Sequence, residues 1–402
     1  MNYDVLFAVI FYIGILIFFF ARRDHFQVQA KIFAIYRTRL GLKLMETLAN
    51  LSRRFWHLTG VLAILSGFCG MLFIFVWLIK GTLELIFVPD ALPAIAPVLP
   101  GVKILPGLPV LSFWHWIIAI FIVAVVHEFC HGIFSRVYDV KIKSSGFAFL
   151  GPILAAFVEP DEKQLGKKSK RAQLAVFSAG PFSNLVMGLA FIAVLNFVSG
   201  PVYEKFYESD GIIVNKVVDN HPAAKSGMTA PIVITEVNGK ETRSLEKFIE
   251  AINNLEPGEE VVVGTDKGKF SMRSVENPKN QSKAFIGIAE MDVKTKVREG
   301  MLARYGTLLP KIIAWLHLLV FWMIVVNLGV GLFNLLPLGP VDGGRMFLTL
   351  SLAIFNNNQV KAKKFWASVT FFCLVLIFIN LLPYLWKLLV FVTKPVVLLF
   401  GV

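Results

Sequence analysis

The sequence predicts a polytopic α-helical membrane protein of about six transmembrane helices, with a re-entrant hairpin and an inserted small α+β domain. Three observations carry this reading. Of 402 residues, 56% are hydrophobic and 17% charged, and the mean hydropathy is +0.67. An ordinary soluble domain is about 45–50% apolar and about 25% charged, so a soluble enzyme is excluded. The apolar residues are gathered into runs of about 20, the length a helix needs to cross a bilayer. One stretch, 201–304, departs from this with fifteen Lys or Arg and sixteen Asp or Glu, the balance of a domain in water. The net charge of +13 then belongs to inner loops facing anionic lipid, and no nucleic-acid partner is implied.

Residues 1–110 hold the first elements. The run Val5 to Ala21 comes before Arg22 and Arg23, the reverse of a secretory signal, and reads as a retained helix with its N-terminus outside. Between Arg22 and Arg54 eight Lys or Arg stand against Asp24 and Glu46, a cytoplasmic bias. Within that stretch Leu40, Leu44, Leu48, Leu51 and Phe55 recur at helical spacing and predict an amphipathic helix on the inner membrane surface. A second span covers about His57 to Ile79. Six prolines between Val88 and Pro109 exclude a helix interior and predict an outer loop or cover.

Residues 111–200 open with a span from Leu111 to Phe134. Gly146 to Val158 follows, apolar but too short, and too broken by Gly151 and Pro152, to cross. Backbone of that kind is tolerated at membrane depth where protein or a wet cavity satisfies it, which predicts a re-entrant hairpin. Another span runs from Ala172 to Val198. In 201–304, Gly211 to Val214 and Ile232 to Val237 read as strands, Asn238-Gly239 as a tight turn, Leu245, Phe248, Ile249 and Ile252 as one helical face, and Glu260 to Val263 as a strand. Residues 305–402 hold spans at Ile312–Leu336 and Phe365–Leu389, with Lys361, Lys363 and Lys364 between them inside. Phe391 to Val402 is apolar but short for a further crossing. Cys69, Cys130 and Cys373 have no paired spacing and read as small core residues.

The chemistry sits at the inner end of the third span. His127 and His131, four apart on a helix, are turned only about 40° from each other and can aim at one metal ion. Glu128, beside that face, is placed to take a proton from an attacking water. Ionisable side chains are expensive in an apolar span and normally serve an ion or proton path. A catalytic zinc takes three protein ligands. Just past the fifth span the one carboxylate is Asp342, at similar depth, after a break at Pro337, Gly339 and Pro340.

These motifs, in order, resemble the site-2 protease family of intramembrane zinc metalloproteases: His127-Glu128-x-x-His131, Gly180-Pro181-Phe-Ser-Asn184, and Asn334 through Pro337 to Asp342-Gly343. The likeness covers about Leu111 to Pro383. Phe157-Val-Glu159-Pro160 resembles the family's membrane hairpin, and Val341 stands where Leu is usual. The resemblance implies one zinc held by His127, His131 and Asp342, Glu128 as general base, and Asn334 steadying the substrate backbone or developing oxyanion. Asn184, Gly146, Phe147 and Gly151 are expected at the substrate. The insert resembles a PDZ domain without a clear carboxylate-binding loop, Ala230-Pro231 replacing the usual Gly-Asp.

The expected activity is hydrolysis of peptide bonds within or near the transmembrane segment of single-span, membrane-anchored proteins. The substrate helix would unwind locally and pair as a strand with an edge of the Gly146–Val158 hairpin. The expected location is the cell membrane, with the metal site toward the cytoplasm and the insert outside. The alternative is a metal-ion transporter or sensor using the same ligands without hydrolysis, a reading that leaves Glu128, the insert and the hairpin without roles.

Overall fold

The structure is a computed structural model that describes residues 3–23, 26–29, 33–89, 91–102, 108–150, 153–278 and 280–400. Two compact units emerge: Met1–Gly101 with Leu111–Ala193 and Leu319–Val402, and Val102–Val110 with Val194–Leu318. Among the described residues six helices are long and apolar enough to cross a membrane.

In the first unit α1 (Tyr3–Ala21) leads into strands β1 (Phe26–Gln29) and β2 (Phe33–Thr38), then α2 (Leu42–Leu51), α3 (Arg53–Phe87) and α4 (Phe113–Val137). The Phe113 amide at the start of α4 donates to the Asp4 carboxylate of α1 at 3.2 Å, offering one orphan helix N–H a partner. Of the residues at helical spacing, Leu44, Leu48 and Leu51 lie on α2, while Leu40 precedes it and Phe55 belongs to α3, because the chain leaves helical geometry at Ser52. Helix α2 buries Met45 and Ala49 against Ile133 and Val137 of α4 and leaves Leu44 and Leu51 exposed, as an amphipathic helix does.

After α4 come β3 (Ile142–Leu150) and β4 (Ile153–Pro160), so the interrupted apolar stretch is an antiparallel hairpin. The β2 strand pairs with the other edge of β3, giving the order β1-β2-β3-β4. Across the sheet Arg37 of β2 reaches Glu159 of β4 at 3.2 Å, and Ser144 donates to the same carboxylate at 2.9 Å. The chain continues through α5 (Glu162–Lys167) into α6 (Lys170–Val194), whose buried face is lined by small and polar residues.

The proline-rich segment after α3 is a packed cover. The Ala94 amide donates to Asn380 Oδ1 at 2.7 Å and its carbonyl accepts from Trp77 Nε1 at 3.2 Å. Trp116 Nε1 donates to the carbonyl of Val98 at 3.0 Å. Gly81 is required here, since a Cβ would overlap Ala94.

The second unit follows a π-helical turn at Leu195–Ser199 and α7 (Gly200–Phe206). It contains β5 (Tyr207–Val217), α8 (Pro222–Lys225), β6 (Ile232–Val237), β7 (Lys240–Glu241), α9 (Leu245–Asn253), β8 (Glu260–Thr265), β9 (Gly268–Arg273), β10 (Val275–Asn277), β11 (Asn280–Phe285), β12 (Ile288–Val297) and α10 (Glu299–Tyr305). The main sheet runs β12-β5-β6-β8-β9, with β7 paired to β6. Its core holds Ile212, Ile234, Phe248 and Val263. Asn238 and Gly239 both have positive φ, as a tight hairpin turn demands. Of the expected face of α9 only Phe248 is buried, and Leu245 and Ile249 are exposed.

Returning to the first unit, α11 (Leu308–Asn334), which starts in the second, ends at a break before α12 (Asp342–Ile354), and α13 (Gln359–Phe400) closes the chain. Helix α12 has no counterpart in the sequence reading, since 13 residues led by Asp-Gly-Gly lack an apolar run of spanning length. Nor is Phe391–Phe400 a separate element, for α13 runs through it.

Buried Asn380 also donates to Thr82 Oγ1 at 2.6 Å, so it joins α13, α3 and the cover. Replacing it strands the Ala94 amide, at a cost of about 1–3 kcal/mol. Asn380→Leu is expected to lower the melting temperature in detergent and to expose the 91–98 segment to protease, read by thermal scanning and limited digestion.

Candidate active site

Helix α4 carries His127 and His131 on one face because they are four residues apart, and both are buried. Asp342 is brought to them by the break after α11. Leu335 and Leu336 close a tightened last turn through bonds to Leu332 and Phe333, and Pro337 ends it. The chain folds back so closely that a Cβ on Gly343 would overlap the Leu335 backbone and one on Gly344 that of Leu338. The two glycines after Asp342 therefore permit the turn that aims its carboxylate.

Asp342 Oδ2 lies 3.0 Å from His127 Nε2 and 3.2 Å from His131 Nε2, and the two nitrogens are 3.2 Å apart. This is the one His/Cys/Asp/Glu group among the described residues able to hold a metal ion. Zinc bound tetrahedrally at about 2.0–2.1 Å spaces its ligand atoms by about 3.3 Å, so the triangle fits with little adjustment. The far sides of the rings fit too. His131 Nδ1–H donates to the Val176 carbonyl at 2.7 Å, leaving Nε2 with its lone pair. Asn184, fully buried, places its amide 3.0 Å from His127 Nδ1, while its Oδ1 is the atom without a partner. A half-turn of that amide makes Oδ1 the acceptor for Nδ1–H, the tautomer that a ligating Nε2 needs.

Both partners come from α6, which can approach because residue 180 is glycine. A Cβ there would overlap Nε2 of both imidazoles. The next residue, Pro181, has no N–H to bond the Phe177 carbonyl and loosens the ladder beside Val176.

A cavity of about 290 Å³ opens on the ligands, lined also by Glu128, Val158, Asn334 and Arg345. Glu128 Oε2 accepts the amide of Val158 at 2.9 Å, so the carboxylate beside the ligands rests on the edge of β4. A second cavity of about 190 Å³, with Phe147 and Ala156 in its wall, meets Glu128 from the other side. Arg345 bonds Glu162 at 3.2 Å at the border of the first cavity and lies 5.7 Å over Phe177.

The residues expected at the substrate part company. Asn334 lines the metal cavity. Asn184 does not face it as a binding group, being enclosed and committed to His127. Gly146 is in the middle of the sheet, both edges of its strand paired, and is glycine because a Cβ would overlap the carbonyl of Tyr36. Phe147, on the same strand, offers only its ring, stacked on Phe121 of α4. Gly151 lies outside the described residues. Sequence reasoning missed the Val176 carbonyl, which no side-chain pattern signals, Arg345, and Gly180, which stood inside a quoted motif without a role of its own.

Two imidazoles and a carboxylate converging inside a bundle of membrane helices, with a second carboxylate alongside, define a multi-pass membrane metalloprotease. Residues 115–379 match the family described as Peptidase family M50. The match includes every residue of this site, and the chain belongs to that family, the site-2 proteases. An uncharacterized protein of Methanocaldococcus jannaschii is 30% identical over 357 residues, 85% of this chain and 85% of its own length. The zinc metalloprotease RasP of Shouchella clausii is 24% identical over 237 residues, 48% of this chain and 54% of its own. The chain thus spans about half of that relative. A solved PDZ domain from an SdrC-like protein of Listeria innocua is matched over 92% of its length and 20% of this chain, at 27% identity and a TM-score of 0.18.

Gly180→Ala is expected to abolish zinc retention, because the added methyl takes the space between the two Nε2 atoms. Asn184→Ala keeps the ligands but frees the His127 ring, and should weaken zinc about 10–100-fold. Competition with a graded series of chelators measures both.

Proposed function

We propose that this protein is an intramembrane zinc metalloendopeptidase that cuts peptide bonds within or near the transmembrane segment of single-span, membrane-anchored proteins, in regulated intramembrane proteolysis. The observation that carries the reading is the triangle of His127, His131 and Asp342 with Glu128 adjoining it and resting on an open strand edge. Zinc, when bound, would polarise the scissile carbonyl and lower the pKa of water to near 7. The chain supplies the rest. Glu128 accepts the proton of the attacking water and is placed to pass it to the leaving amine. The Asn334 amide, in the cavity wall at the end of α11, is the donor for charge developing on the carbonyl oxygen.

A peptide bond inside a helix is screened by its own backbone, so the substrate must be held extended. Among the described residues the sheet ends at β4, and β4 borders the metal cavity through Phe157, Val158 and Pro160. A substrate strand added to that edge would place its backbone beside Glu128. The basic bias between Arg22 and Arg54 supports a cell-membrane orientation with the metal site toward the cytoplasm.

In a purified assay on a single-span substrate, Glu128→Gln is expected to keep zinc and lose cleavage by at least about 100-fold. Asp342→Asn should lose zinc first, and chelator should stop the wild type. A transporter or sensor would instead keep its function in Glu128→Gln and show no chelator-sensitive cleavage.

A further inference from the structure

We infer that the open edge of β4 is divided between catalysis and binding: the Val158 amide holds Glu128, and the Leu154 and Ala156 backbones are left to pair with the substrate. The inference rests on the protease reading and goes beyond it by fixing where the substrate strand must stop.

The register of the hairpin carries the argument. Along β4, Ala155 faces Ala148, Ala156 faces Phe147, Phe157 faces Gly146 and Val158 faces Ser145. In an antiparallel pair, residues alternate between those bonded to the neighbouring strand and those whose N–H and C=O point away from it. The Val158 amide points away from β3, since it donates to Glu128 Oε2 at 2.9 Å. By alternation the outward groups are those of Leu154, Ala156 and Val158, while Ala155 and Phe157 are bonded inward. Pro160 has no N–H to give. A strand laid along this edge therefore finds its donors at Leu154 and Ala156 and meets Glu128 at Val158.

Two consequences follow. The bond to be cut lies where pairing gives out, next to the carboxylate that takes the water's proton. Glu128 is held by the strand that orders the substrate, so base and substrate share one rigid reference. Val158 is in this sense a positioning residue acting through its backbone, and its side chain is immaterial to that role.

Proline at an edge position removes an outward N–H without breaking the ladder behind it, which makes the division testable. Val158→Pro is expected to lower kcat about tenfold or more, with zinc content and substrate Kd unchanged. Ala156→Pro should instead raise Kd about five- to tenfold, the worth of one lost backbone bond, with kcat nearly kept. Binding is measured directly by adding Glu128→Gln to each variant, which keeps an acceptor for Val158. Residue-resolved hydrogen exchange supplies a second reading that needs no proline. The Val158 amide should be protected in the wild type and released in Glu128→Ala, and a bound single-span substrate should protect Leu154 and Ala156. Wild-type kcat in Val158→Pro, or equal effects of the two prolines on Kd, overturns the division. So does a Val158 amide that exchanges alike in wild type and Glu128→Ala, which also decides the matter should Val158→Pro lose its zinc. Cleavage that survives in Glu128→Gln would overturn the protease mechanism itself, and is thereby told apart.

Discussion

The seating of the His127 and His131 rings against Gly180 of α6 is the contact on which the candidate site depends. Helices in lipid gain little from hiding apolar side chains from one another, and associate through tight packing of small residues and through polar bonds. The buried side of α6 follows that rule, with Ala172, Ala175, Ala179, Gly180, Ser183 and Gly188 along it. The closeness so gained lets the backbone carbonyl of Val176 reach His131 and the Asn184 amide reach His127. Packing and metal chemistry are thus one interface. Bulk at position 180 would part the helices and leave both imidazoles without the partners that set their tautomers.

A second constraint, that polar groups away from water must find partners within the chain, explains most of the irregular structure. The break between α11 and α12 frees carbonyls, and Thr370 donates to that of Pro337 at 3.1 Å. The proline-rich cover is accepted because Asn380 and Trp77 meet both backbone groups of Ala94. In the sheet, β2 satisfies one edge of the hairpin and the Arg37–Glu159 pair ties its strands together. Among the described residues the other edge stays open, and Glu128 already occupies part of it. An unpaired strand edge is normally a liability. Beside the candidate metal site it offers the extended geometry that an unwound substrate requires.

Much of this was legible beforehand for simple reasons. His127 and His131 declare themselves by a spacing that helix geometry converts into one direction, and an apolar context makes the carboxylate at 342 conspicuous. The insert stands out by charge balance. Less legible were β1 and β2, short segments interrupted by basic residues, whose pairing is decided by the hairpin more than 100 residues later. Gly146 and Asn184 were assigned toward the substrate because a motif gives identity but no direction. One is packed against Tyr36 and the other against a ligand ring.

By itself the sequence determined the membrane class, the separate composition of the insert, and the three candidate ligand residues with their neighbouring carboxylate. These follow from local rules: run length, charge density, and the 100° step between helical residues. Tertiary structure alone decided which groups turn the imidazoles, which glycines let backbones meet, and which hairpin edge stays open. Such facts depend on distances between segments far apart in the chain. No local pattern encodes them, because a carbonyl, a glycine or a strand edge acquires its role from whatever packs against it.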